Sequence, residues 1–235
     1  MLPKREKTIH FSGIFQGMKR KKRRKPGSGH IPKRLSFPEE DSVKWLPMLL
    51  DAYHIADRGI AMAIQKRVAR GERLACAKGC STCCATHVTI PVYPLEVVGI
   101  YWYVIEKFMG PERKLLRDQL ARFKKGSPCP FLMEGACSIH PMRPLACRHF
   151  NVFNRPCRPG EDPFYTRRHD VLTPDEKFKA RAISAMLPFH GIRDRAKRKL
   201  AARSGFLDRQ VQNLHEIDWN NLALRMDGKK PPLKA

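Results

Sequence analysis

The 235-residue chain carries 46 Lys and Arg against 22 Asp and Glu, a formal net charge of +24, and 42% of its residues are hydrophobic. That is room for one compact domain with tails, or two very small domains, with a packed core, while a mean hydropathy of −0.47 leaves much of the chain solvated. The most apolar run, Val97–Ile105, is nine residues long, and a membrane span needs about twenty. The first 34 residues hold twelve Lys/Arg and lack the apolar region and cleavage site of a secretory signal, so a cytoplasmic location is expected. In that reducing compartment eight cysteines read as metal-binding or catalytic rather than as a disulfide framework. The positive surplus favours polyanions such as RNA, the ribosome or an anionic membrane surface, although a soluble protein with basic tails accounts for it too.

Residues 1–40 read as a disordered basic arm, because Lys19–Lys25 is seven consecutive cations followed by Pro-Gly-Ser-Gly. A helix is predicted over 42–70, where Leu49, Tyr53, Ala56, Ile60, Ile64 and Val68 recur at spacings of three and four and Gly71 ends the pattern. His54 and Asp57 on that helix read as surface residues. After a cysteine-rich segment, residues 86–92 suit a short strand or extended link, and Pro94 suits the first turn of a helix over 94–108. Tyr101, Trp102 and Tyr103 on that helix read as core rather than as a platform for stacking bases. Gly110-Pro111 breaks the pattern before a third helix over 111–124.

Residues 126–165 are dense in Pro, Gly and Cys and have no period, which describes a loop shaped by something other than a core. Thr173, Pro174 and Glu176 predict a capping box opening a helix that runs to about Leu187. A last helix is predicted over Phe206–Met226. The expected fold is mainly α: a small helical domain over 41–190 with two cysteine-rich metal-binding loops, and a basic C-terminal helix and tail over 191–235.

The chemistry sits in two clusters. The first is Cys76-Ala-Lys-Gly-Cys80-Ser-Thr-Cys83-Cys84, and the second spans Cys129, Cys137 and Cys147. Thiolates suit zinc and iron–sulfur clusters, which accept sulfur in tetrahedral geometry. Neither cluster is embedded in an apolar helical pattern, so eight buried hydrophobes are a poor alternative. Cys83 and Cys84 point about 100° apart if helical and to opposite faces if extended, so one ion should not readily take both. Seven or eight thiols exceed the four that one zinc ion or one [4Fe–4S] cluster needs, leaving open two metal sites or one site plus reactive thiols. Cys76, Cys80 and Cys83 also carry the spacing of radical S-adenosylmethionine enzymes, but the alternating βα pattern of their barrel is missing.

These residues resemble the YkgJ-type cysteine-cluster proteins, a zinc- or iron-chelating family named for a CxxCxxCC pattern. The resemblance runs from Cys76 through Cys129-Pro-Phe-Leu to Cys137-Ser-Ile-His-Pro-Met-Arg143-Pro144-Leu-Ala-Cys147-Arg148-His-Phe, with three residues rather than two in the first spacing. It implies metal chelation and no established reaction. The flagellin lysine N-methylases look similar in this motif and are associated with an iron–sulfur cluster, yet no Gly-rich strand–turn–helix loop for S-adenosylmethionine is evident here.

Cys157 lies outside the shared pattern and ranks lower as a ligand, as do His140 and His149. Arg143 and Arg148, flanking Cys147, are expected to offset the negative charge of a thiolate centre. The leading expectation is a protein that chelates zinc or an iron–sulfur cluster. The alternatives are an iron–sulfur enzyme acting on a protein or small molecule, and a nucleic-acid- or ribosome-associated protein with a structural metal. For the last, Lys19–Lys25 with Arg193, Arg195, Lys197, Arg198 and Lys199 supply phosphate contacts.

Overall fold

A computed structural model describes residues 32–228; the run Lys19–Lys25 and the last seven residues lie outside them. In chain order the elements are α1 (Leu46–Ala69), α2 (Thr82–Thr86), β1 (Pro91–Val92), α3 (Pro94–Lys107), α4 (Gly110–Ala121), β2 (Leu132–Met133), β3 (Ala136–Cys137), α5 (Leu145–His149), α6 (Pro163–Thr166), α7 (Glu176–Met186), α8 (Arg195–Arg203), β4 (Gln212–Asn213) and α9 (Asn220–Met226), joined by short 3-10 turns. The described chain is mainly helical, and no helix in it is long and apolar enough to cross a membrane.

α1 is the spine. Its apolar stripe is only half covered: Leu46, Leu49, Leu50, Tyr53 and Ala56 are buried, whereas Met62 and Val68 are exposed. α7 lies along it so closely that a Cβ on Gly59 would stand 2.6 Å from Phe178 Cβ. Residues 34–40, within the segment read from sequence as a free arm, pack here as well. Arg34 Nε reaches Asp51 at 2.6 Å, and the Phe37 ring meets Trp102 edge-on at 5.2 Å.

Two apolar clusters share α3. One gathers α1, α5 and α7 around Leu49, Tyr53, Leu95, Met142, Leu145 and Met186. The other gathers α4 and α9 around Ile100, Val104, Leu116, Phe131, Trp219 and Leu222, with Cys84, Cys129, Cys137 and Cys147 packed among them. A fully buried Leu or Phe contributes about 1.5–3 kcal/mol, so residues 126–149 are held partly by an ordinary core. Tyr101 and Trp102 are packed as the sequence implied, against Trp219 and Trp45.

The helices near 42–70, 94–108 and 111–124 form with ends shifted by a few residues, but the last prediction does not hold. Residues 206–226 are not one helix. Gly205 adopts a φ of 69°, Gln212–Asn213 pairs with Pro91–Val92, and helix resumes only at Asn220. The Asn213 side chain is the local cause. Its Oδ1 accepts from Ile90 N and His215 N, both at 3.1 Å, and its Nδ2 donates to Val88 O at 3.0 Å, a side-chain alternative to helical bonds. The α7 start also moves: Asp175, not Thr173, is the cap, accepting from Lys177 N at 2.9 Å and Phe178 N at 3.2 Å.

Candidate metal centre

The first cysteine loop is sewn to a distant segment. Asn154 N donates to Arg73 O at 2.7 Å, Leu74 bridges Phe153, and Ala75 N donates to Val152 O at 2.8 Å. Val152 N in turn donates to Cys76 Sγ at 3.2 Å. The chain then turns through Gly79 (φ 85°), whose conformation a side chain would strain, and leaves Cys80 exposed. Cys83 and Cys84 fall on the one-turn helix α2.

The second loop docks on the first through Cys129 N, which donates to Cys84 O at 2.7 Å. The hairpin of β2 and β3 turns at Glu134 (φ 47°) and Gly135 (φ 75°) and sets Cys137 opposite Leu132. Cys147 sits in the middle of α5.

These placements bring the cysteines together. The Cys84 thiol hydrogen-bonds with those of Cys129 and Cys83, and the contact with Cys129 is the main reason its pKa is pushed up to about 12. Cys83 is raised first by its bond with Cys84 and then by burial. Burial raises Cys147 well above the usual thiol range, and Cys83, Cys137 and Cys84 add repulsion. Burial also raises Cys137 and Cys76. In each case the charged form is disfavoured by lost water and like neighbours, so a cation bound here would displace protons from these thiols.

The opposing charge is Arg143, whose guanidinium lowers the pKa of Cys76, Cys83, Cys137 and Cys147. Its Nε is buried and has no hydrogen-bond partner. A buried donor without an acceptor is costly, and an anionic sulfur centre is an acceptor that would satisfy it. The donor set therefore fits a thiophilic metal. Among the described residues, however, no three His, Cys, Asp or Glu side chains already stand in a ligating arrangement. Two sulfurs on one tetrahedral zinc stand roughly 3.8 Å apart, from a Zn–S bond of about 2.3 Å, so the thiols must move to close on an ion.

Arg148 spends its hydrogen bonds on oxygens rather than on the sulfurs. It is buried over the Tyr53 ring, 4.0 Å from its centroid. Its nitrogens donate to Asp57 Oδ2 at 2.7 Å, Arg143 O at 2.9 Å and Pro141 O at 2.5 Å. It braces the turn that carries Arg143 and lowers the pKa of Cys137 only from a distance. Asp57, read from sequence as a surface residue, is its ionic partner. Burial lowers the pKa of His140 and of His149; Arg143, Arg148 and Asp57 act on the first, and Lys179, Asp57 and Arg148 on the second.

Two residues carry more than the sequence suggested. Cys157 lies within electrostatic reach of Cys76 and Cys80. Glu96, fully buried on α3, accepts from Tyr93 N at 2.9 Å and from Leu145 N, the start of α5, at 2.7 Å. Burial pushes its carboxyl up to about 7 from 4.5. Between those values the unfolded chain ionises while the native state keeps its proton, so stability falls as pH rises through the window, by about 3 kcal/mol, and is flat above it. Denaturant titrations at pH 4.5 and 7.5 should show that loss in the native chain and its absence in Glu96→Gln; equal pH slopes would refute it.

Residues 75–175 match the model of the CxxCxxCC family, a putative zinc- or iron-chelating domain. No curated protein and no solved structure is similar enough to count as a match.

Proposed function

We propose that the segment matching the CxxCxxCC family chelates zinc or iron through thiolates presented by its two loops. Cys76, Cys80, Cys83, Cys84, Cys129, Cys137 and Cys147 are the ligand pool, with Arg143 offsetting their charge. The observation that carries this reading is the unpartnered, buried Nε of Arg143 beside thiols from both loops. When bound, the metal supplies a fixed positive charge that holds the thiols ionised. The chain's own residues supply the rest: Val152 N bonds to the Cys76 sulfur, the peptide of Cys129 locks the loops together, and Arg148 holds Arg143 in place.

Anaerobic purification followed by elemental analysis and an absorption spectrum tests the reading. Stoichiometric zinc without colour, or iron with a broad visible band, is expected. A folded chain free of metal, with its thiols open to alkylation, would end it.

A second reading concerns polyanions, and α8 favours it. Arg193, Arg195, Lys197, Lys199 and Arg203 are exposed there, and the nearby Asp194 spends its carboxylate on capping, accepting from Lys197 N at 2.8 Å. No ion pair engages these cations among the described residues. In the triple variant Lys197→Glu, Lys199→Glu, Arg203→Glu, affinity for single-stranded RNA should fall at least about tenfold at low salt, and the log–log salt slope should shrink by about 2. Binding that ignores salt, or a variant that binds like the native chain, would remove this surface from consideration.

A further inference from the structure

We infer that the cationic surface of α8 receives a single-stranded nucleic acid rather than a duplex, with the ring of Phe189 as the platform on which a base stacks. The inference rests on the polyanion reading and names the form of the partner.

The turn before α8 sets the ring. Leu187 is fully buried, Pro188 follows it, and Gly191 at a φ of 79° closes the turn. Gly191 N donates to Pro188 O at 3.1 Å and Ile192 N to Leu187 O at 3.2 Å. Leu187 anchors this turn in the core and leaves Phe189 37% exposed. Edge-on rings lead from there to the helix: Phe189 meets His190 at 5.2 Å, and His190 meets Phe206 at 6.0 Å. Phe206 N donates to Ala201 O at 3.1 Å, which ties the last ring to the end of α8. Phe189 therefore stands on a packed support beside the helix.

That helix carries its charge at a cost to itself. Arg195, Lys199 and Arg203 are four residues apart, so like charges share one face and weaken the helix. Arg195 and Lys197 occupy its first turn, where the helix dipole disfavours cations. Leu200, 70% exposed, lies on the surface between Lys197 and Arg203. A row of phosphates along this face would relieve the repulsion.

Phosphates answer the charge but not the ring. A lone exposed Phe is ordinary on a protein surface; its place beside unpaired cations is what points to a single strand. The bases of a duplex are stacked inside it and offer only their edges. Those of a single strand have free faces, and stacking on an aromatic ring strengthens binding whatever the base. An anionic bilayer also answers the charge, but it holds a helix by a broad apolar face, and this surface offers Phe189 and Leu200.

Fluorescence anisotropy of the full chain with a labelled oligouridylate, and with the duplex it forms with oligoadenylate, tests the inference. The native chain should bind the single strand at least about fivefold more tightly than the duplex at the same salt. Phe189→Ala and Phe189→Leu should each weaken single-strand binding about five- to tenfold, while Phe189→Trp keeps it. The log–log salt slope should stay as in the native chain, because no cation is lost. Circular dichroism checks that each variant is folded, and vesicles of phosphatidylserine in phosphatidylcholine serve as the competing surface. Equal affinity for strand and duplex overturns the inference, as does native-like binding by folded Phe189→Ala and Phe189→Leu chains, or binding to the vesicles and not to the strand. A native chain that binds neither nucleic acid removes the polyanion reading itself, which is a different result.

Discussion

Asp57→Ala is expected to destabilise the protein by about 2–4 kcal/mol, more than its half-exposed position would suggest. The reason is what it leaves behind. Arg148 is 6% exposed, lies over the Tyr53 ring and spends two further nitrogens on the carbonyls of Arg143 and Pro141. Without Asp57 its charge stays buried and loses its ion-pair partner. Arg148→Met, which removes the charge and keeps much of the stem, should recover part of the loss in the Asp57→Ala background. Urea unfolding of the two single variants and the double variant measures this coupling directly. Strictly additive losses would show that the pair is not the source of the effect.

Stripping the metal should have the other large effect. A chelator that empties the thiol sites is expected to lower the melting temperature by about 10–20 °C, because a tightly held ion contributes about 4–5 kcal/mol and each kcal/mol moves a domain of this size by about 2–4 °C. The loss should be uneven. Hydrogen exchange should accelerate at residues 73–84 and 150–157, where the structure consists of a few backbone bonds, and much less along α1 and α7, whose stripe is apolar. Restoring Zn²⁺ should reverse both changes. A melting temperature indifferent to the chelator would mean that the loops hold themselves.

The sequence was legible where periodicity or spacing carried the signal. α1 announces itself through apolar residues three and four apart, α3 through Pro94, α4 through the Gly110-Pro111 break before it, and the thiol loops through cysteine spacing. What was not legible depended on contacts across long sequence distances. Asp57 looks like any polar residue on a helix until Arg148, 91 positions later, folds over Tyr53 to meet it. Asn213 interrupts an otherwise plausible helix because its side chain finds backbone groups at Val88 and Ile90. Cys157 fell outside a motif defined by short spacings, and only the pairing of residues 73–76 with 152–154 brings it back. Glu96 has an ordinary capping position, and nothing local says that it will be fully buried or reach Leu145.

The lateness of α9 has a consequence for synthesis. Trp219, Leu222 and Met226 close the apolar cluster that surrounds Cys84, Cys129, Cys137 and Cys147, and β4 is the partner of β1. All eight thiols have therefore left the ribosome before the residues that shelter the innermost of them are made. During that interval the cluster around those sulfurs lacks the cover of Trp219, Leu222 and Met226. Closure of that apolar cluster is thus a late event of translation, and a chain cut short before Trp219 would leave it without the cover of α9.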